Sequence, residues 1–188
     1  MKKLLLAAAA ALLTCTAWSQ APPTFNKGDM VFNAGIGIGS TLYSGRLYSS
    51  TLPAISLSGE YGIEEDFLTE DLTLGVGGYI GIAGSKYETR FLGDRYGWRY
   101  TYTIIGARAA LHYPVADKLD AYGGAMLGLN IVSFREIGDV PSGISNDSSG
   151  LAFSLYVGGR YYFSEHFAAM GEIGYGIAWL NLGVAYKL

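Results

Sequence analysis

The amino-acid sequence predicts an all-β fold that crosses a membrane with strands, and three observations lead to this prediction. Eight segments alternate apolar residues with polar or small ones at a period of two, which is typical of strands with one apolar face. Glycine takes 27 of 188 positions and recurs inside the apolar segments, where helices tolerate it poorly. A secretory leader comes first and an alternating strand comes last. Together these features predict an eight-stranded antiparallel up-and-down transmembrane β-barrel.

The leader is expected at residues 1–19. Two lysines precede the apolar residues 4–13, which are too few to span a bilayer as a helix, and a small-x-small site follows at 17–19. We expect cleavage before Gln20 rather than after Ala21, because a proline would follow the second cut.

The single cysteine of the chain, Cys15, lies within this leader. Modification of Cys15 as a lipoprotein cysteine is a less favoured alternative, because Thr14 stands where a smaller residue is expected. After cleavage no thiol would remain, which excludes disulfides, thiol catalysis and a cysteine-based zinc site.

The remaining chain suits one domain. Residues 20–28 are expected to form a short periplasmic segment, and residues 29–188 the barrel. The formal net charge is -3 and becomes more negative without the leader lysines. No basic cluster remains that could follow a nucleic-acid backbone, so nucleic acid is not an expected partner.

Each predicted strand has about the length that a tilted strand needs to cross the hydrocarbon layer. In order, the segments are 29–40, 54–63, 72–83, 99–113, 120–132, 151–163, 167–177 and 180–188. Residues 100–104 are apolar on both faces, which predicts a bulge or an extension above the membrane.

The connections alternate in length, as long extracellular loops and short periplasmic turns do in outer-membrane barrels. The long connections are 41–53, 84–98 and 133–150, and the shorter ones are 64–71, 114–119 and 164–166. The last connection, around Ala178 and Trp179, is very short, which predicts a low barrel rim there.

The apolar faces are expected to contact lipid, because the opposite faces are mostly Gly, Ala, Ser and Tyr and fit a narrow lumen. Four charged residues fall on these small-residue faces at comparable heights: Glu60, Arg108, Arg160 and Glu172. They should pair, because an unpaired buried charge costs several kcal/mol. We therefore predict an ion-pair network that plugs the lumen; the alternative is a charge ring that selects ions.

Aromatic residues cluster at both ends of the predicted strands, which predicts belts at the two membrane interfaces. The periplasmic belt is expected to contain Tyr61, Tyr113, Tyr161 and Phe163, and the outer belt Trp98, Tyr100, Tyr102 and Trp179. The alternative interpretation is that tyrosine is simply a good strand former.

The last segment resembles the closing strand of bacterial outer-membrane barrels, which usually ends in an aromatic residue. Its apolar positions, Leu180, Leu182, Val184, Tyr186 and Leu188, are interpreted as a C-terminal assembly signal. Leu188 departs from the usual aromatic end, and Tyr186 holds the upstream apolar position.

Motifs for catalysis or for cofactor binding are not found. The glycine runs at 35–39 and 75–81 do not match G-x-G-x-x-G and do not open a helix. His112 and His166 have no apparent third metal ligand or triad partner, and His112 is predicted to cap the lumen at the periplasmic end. We predict no enzyme activity, no cofactor and no metal; a lipid A-modifying enzyme is a less favoured alternative.

Mixed charges and aromatics fill the two longest predicted loops and the first one. They are Lys86, Glu88, Arg90, Asp94, Arg95 and Arg99, then Arg135, Glu136, Asp139 and Asp147, with Tyr43, Tyr48, Tyr87, Phe91 and Tyr96 among them. Solvated loop tips have this composition, and so does a surface for lipopolysaccharide, host proteins or phage.

Four stretches, 104–113, 120–130, 170–176 and 181–188, resemble the small outer-membrane β-barrel domain family of the OmpA/OmpX type, in its Bacteroidetes-like form. Arg108 and Glu172 fall on what look like this family's lumen arginine and glutamate. No peptidoglycan-binding module is expected after the barrel.

The resemblance implies a Gram-negative outer-membrane location among lipid and lipopolysaccharide, assembly by the barrel-assembly machinery, and a monomer. It implies a structural or surface-interaction role, with an extracellular ligand that the sequence does not identify. The alternative function is a narrow porin or a conduit for small, including hydrophobic, solutes.

Overall fold

The computed structural model describes residues 24–43, 47–91, 94–137 and 149–188, with the backbone alone for residues 90, 91 and 94–96. The expected signal peptide, Cys15 and the cleavage site lie outside the described residues, as do Asp139 and Asp147 of the third predicted loop.

Eight strands form one closed antiparallel barrel. Their bounds are β1 (Met30–Ser40), β2 (Tyr48–Glu64), β3 (Thr73–Phe91), β4 (Asp94–Ala116), β5 (Leu119–Ile137), β6 (Gly150–Tyr162), β7 (Phe167–Tyr175) and β8 (Ala178–Lys187). Every strand pairs with its sequence neighbours, and β1 pairs with β8 to close the barrel. The prediction of an eight-stranded up-and-down β-barrel is confirmed.

The alternation of side chains along each strand sets the two faces of the wall. In β1, Val31 and Asn33 are buried inside the barrel, while Phe32 and Ile36 are exposed on its outer face. The outer face is therefore lined with large apolar side chains, which is the pattern of a barrel that faces lipid. Within the described ranges, no helix is long and apolar enough to cross a membrane.

Strands β2 to β5 are longer than the sequence predicts. The expected loop at 84–98 is instead the end of a hairpin, in which β3 and β4 stay in register from Thr73 opposite His112 to Phe91 opposite Asp94. Aromatic pairs across the strands, such as Tyr87 and Trp98 with ring centroids 5.9 Å apart, stabilise this extension. Of the two options for residues 100–104, the structure has the extension.

The turn between β7 and β8 lies two residues earlier than expected. Strand β7 ends at Tyr175, and Ala178 and Trp179 already belong to β8. Ile177, the last apolar residue of the predicted seventh strand, was expected on the lipid side. It is instead buried inside the barrel, in an apolar cluster with Ala54 and Ile104. That prediction was wrong because the alternation stops where the chain turns inward over the rim.

The barrel has one high side and one low side. Strands β3 to β5 have 19 to 23 residues, whereas β7 and β8 have 9 and 10. The low rim at the β7–β8 connection agrees with the prediction. Both described ends of the chain lie at the opposite rim, where the short turns are, and this rim is periplasmic in barrels of this kind.

Candidate functional site

The four predicted lumen charges all lie inside the barrel. Glu60, Arg108, Arg160 and Glu172 have exposed fractions between 0% and 6%. They do not form a single ring but two ion pairs. The Arg108 Nη2 atom lies 2.6 Å from Glu172 Oε1, and the Arg160 guanidinium pairs with the Glu60 carboxylate.

Each pair spans the bore, because its members are on strands that are not neighbours. Arg108 is on β4 and Glu172 on β7, with β5 and β6 between them. We call Arg108 and Glu172 the upper pair, because they lie farther from the periplasmic rim than the lower pair, Arg160 and Glu60. Tyr156 and Tyr122 hold the upper pair in place. Arg108 Nε donates to the Tyr156 hydroxyl at 2.9 Å, and the Tyr122 hydroxyl donates to Glu172 Oε1 at 3.0 Å.

Two neutral side chains connect the two ion pairs. Arg108 Nη1 donates to Ser58 Oγ at 3.4 Å, and Asn33 Nδ2 donates to the same oxygen at 3.0 Å. Arg160 Nε in turn donates to Asn33 Oδ1 at 3.1 Å. The buried polar groups therefore form one continuous hydrogen-bonded chain, which we call the lumen network.

The lower pair has two further members, Asp120 and His112. Arg160 Nη1 lies 3.4 Å from Asp120 Oδ2. The ring of His112 is between the two carboxylates, with Nδ1 3.0 Å from Asp120 Oδ2 and Nε2 3.2 Å from Glu60 Oε1. The sequence placed His112 at this end of the lumen but assigned Asp120 no role, although Asp120 shares its strand face with the inward Tyr122.

The segment before β1 packs into the periplasmic mouth, a feature that sequence analysis missed. Phe25 is 2% exposed, and its ring centroid lies 4.1 Å from that of His112. The segment is tied to β8 by Lys187 Nζ, which donates to the Thr24 carbonyl at 2.9 Å and to Asp29 Oδ2 at 2.8 Å. Among the residues expected to form a short periplasmic segment, Phe25 is thus part of the core.

Some of the residues expected in the aromatic belts lie on the outer face of the barrel, and others do not. Tyr61, Tyr113, Tyr161 and Trp179 are exposed on the outer face, and Phe163 is half-buried against Phe167. Trp98, Tyr100 and Tyr102 were expected to face lipid. They are instead on the inward face of β4, the same face as Ile104 and Arg108, and Tyr102 is 8% exposed.

These three residues belong to an aromatic cluster at the outer end of the barrel. The rings form a chain from Trp98 through Tyr87 and Tyr48 to Tyr43, and on through Tyr102 to Tyr100, with neighbouring centroids 5.3 to 6.3 Å apart. Their inward direction follows from the extension of β3 and β4, because the alternation continues unbroken from the lumen into the extension.

The closing strand presents its apolar side to the outside. Leu182, Val184, Tyr186 and Leu188 are exposed, and Leu180 is half-buried. The Tyr186 ring contacts that of Phe167 at a centroid distance of 5.0 Å.

The two histidines lie in different surroundings. No group of three metal-ligating side chains is found in the part of the chain that the structure describes. His166 is exposed at the periplasmic rim, where its Nδ1 lies 2.9 Å from the Lys187 carbonyl oxygen.

Comparison with known proteins agrees with this architecture. The family described as outer membrane protein beta-barrel domain matches residues 6–186. The chain is similar to Ail, the attachment invasion locus protein of Yersinia pestis, in complex with the heparin analogue sucrose octasulfate; the TM-score is 0.53 at 14% identity, over 86% of this chain and 99% of that one. It is also similar to the outer membrane protein OprG from Pseudomonas aeruginosa, with a TM-score of 0.51 at 13% identity, over 89% of this chain and 99% of that one.

No curated protein matches the chain at a significant level. At these identities the likeness to solved structures shows the fold alone, whereas the family match extends over nearly the whole sequence. The chain therefore belongs to the outer membrane β-barrel domain family, as a small barrel of the OmpA/OmpX type in the cell outer membrane.

Proposed function

We propose that this protein is a closed barrel that does not conduct solutes through its lumen and acts through its extracellular end. The observation that supports this most strongly is the lumen network, which crosses the bore at two levels. Its members are buried and mutually bonded, so a solute would have to separate paired charges in the narrow bore.

Two further layers support a closed lumen. Below the network, Phe25 packs on His112 in the periplasmic mouth. Above it, the apolar side chains of Ile104, Met126 and Ile177 pack together in the upper bore. An eight-stranded barrel is just wide enough to be filled by its own side chains, and these layers fit that size.

The environment of the histidines supports a protein that is not an enzyme. Both ring nitrogens of His112 face carboxylates inside the periplasmic half, so neither is directed at solvent or at the outer leaflet. The closed seam between β1 and β8 leaves no open sheet edge, which supports a monomer. We infer lipid and lipopolysaccharide as its surroundings, and the barrel-assembly machinery as its partner during biogenesis.

The second candidate function is a narrow pore or a conduit. A small cavity beside the upper ion pair, lined by Tyr79, Met126 and Asn181 among others, is the observation that favours it. The Asn181 side-chain oxygen has no protein hydrogen-bond partner there, so the cavity suits water.

Single-channel recording in a planar bilayer separates the two functions. We expect the natural protein to be silent. A Glu60→Ala/Arg108→Ala/Arg160→Ala/Glu172→Ala variant should show openings, because it removes the ion pairs that cross the bore at both levels. Lys86→Ala, on the outer face, is the matched control and should stay silent. Steady openings of the natural protein that grow in Glu172→Ala would instead establish the pore.

A further inference from the structure

Three basic residues stand side by side on the outer face of the barrel wall. Lys86 on β3 is directly opposite Arg99 on β4, and Arg99 is directly opposite Arg135 on β5. All three alternate with inward residues, so their side chains point away from the barrel axis. We call these three residues the cationic row.

Such a row is unfavourable for the protein alone. Like charges directly opposite each other on neighbouring strands destabilise a sheet, because their Cβ atoms are only about 5 Å apart. Lys86 has a carboxylate 3.1 Å away, on Glu88 of its own strand. Arg99 and Arg135 are exposed and form no ion pair with any other side chain that the structure describes. The row therefore has a surplus of positive charge that an external anion would neutralise.

The height of the row indicates which anion this is. The outermost outward row with two exposed apolar residues on the same strands contains Ile82 and Ile131, with Thr103 between them, four residues closer to the membrane than Lys86 and Arg135. Four residues on a strand tilted by about 40° rise roughly 10 Å, which reaches the headgroup layer just outside the hydrocarbon. Long basic side chains can also bend down towards that layer.

The residues between the apolar row and the cationic row fit the same ligand. Thr101 and Ser133 are opposite each other there and carry hydroxyl groups, and Gly84 beside Thr101 has no side chain. Hydroxyl groups and an open backbone suit a headgroup that combines phosphate with sugar. On the low side of the barrel, the outward residues near the rim are apolar, including Ile38, Leu151 and Trp179.

We propose that the cationic row binds the phosphate of a phosphorylated glycolipid in the outer leaflet. Arg99 and Arg135 make the charge-assisted contacts, since a guanidinium matches the oxygens of a phosphate in pairs. Lys86 adds charge from the side of β3. The proposal depends on the barrel's orientation in the outer membrane and not on whether its lumen conducts.

The test is lipid retention by the purified protein in detergent, measured by native mass spectrometry. The probes are diphosphorylated lipid A, the same lipid A without phosphate, and inorganic phosphate. The test variant is Arg99→Gln/Arg135→Gln, and the control is Lys27→Gln/Lys118→Gln, which removes two cations at the periplasmic end. All four positions lie outside the lumen core, so both variants should fold.

We expect the natural protein and the control to bind diphosphorylated lipid A alike, and the test variant about tenfold or more weakly, because each basic residue near an anionic headgroup adds severalfold to affinity. The dephosphorylated lipid should bind all three proteins equally. Equal retention of diphosphorylated lipid A by the test variant would overturn the proposal. So would binding of inorganic phosphate by the natural protein without binding of lipid A, which would assign the row to a soluble anion.

Discussion

Arg108 and Glu172 are each unfavourable inside the barrel alone and stable there together. An Arg108→Met variant would leave the Glu172 carboxylate buried without its counter-charge, at a cost of about 3 kcal/mol of unfolding free energy. An Arg108→Met/Glu172→Leu double variant should recover most of this loss, because neither charge remains. Urea unfolding in detergent micelles, followed by tryptophan fluorescence, measures both values.

Arg99→Met is the matched control for Arg108→Met. Arg99 is exposed on the outer face, so its replacement should change the unfolding free energy by less than about 0.5 kcal/mol. A double variant as unstable as Arg108→Met would show that packing, and not the unpaired charge, dominates at this position.

Strands β2 and β3 approach each other closely where glycines meet. A Cβ atom on Gly77 would collide with the backbone oxygen of Gly59 and lie 2.9 Å from the Glu60 Cα atom. Its neighbour Gly78 points outward and would meet nothing within 4 Å. Gly77→Ala should therefore cost about 2 kcal/mol, whereas Gly78→Ala should stay within about 0.5 kcal/mol.

The same urea titration compares these two variants, and heat-modifiability on a gel checks that both still form barrels. Equal stabilities would mean that the two strands can separate locally at no cost.

The extension of β3 and β4 into a long hairpin is a difference between the structure and the sequence-based prediction. Charges at Lys86 and Glu88 made this stretch look like a loop, but they occupy only the outer face of a strand.

The direction of the whole wall can be tested with two tryptophans. Trp179 is 54% exposed on the outer face, while Trp98 lies on the inward face among the aromatic cluster. In bilayers with brominated lipid, a protein with Trp179 as its single tryptophan should be strongly quenched, and one with Trp98 alone only weakly. The third tryptophan, Trp18 of the expected leader, is replaced by phenylalanine in both.

Stronger quenching of Trp98 than of Trp179 would contradict the assignment of the two faces. The sequence alone placed Trp98 on the lipid side, whereas the structure has it on the inward face of β4. The difference arises because residues 100–104, next to Trp98, carry no charge on either face, and periodicity cannot assign a side where both faces look alike.

The sequence by itself determined the number of strands, their order and the outward direction of their apolar faces, because a period of two is a local property that neighbouring residues report directly. It also pointed to four of the charged residues that the structure places inside, but not to Asp120. Only the tertiary structure decided that these charges divide into two pairs, that Asp120 joins one of them, and that Phe25 packs on His112. Those contacts join distant parts of the chain, and they depend on how the barrel closes and how its strands are staggered, which no local pattern records.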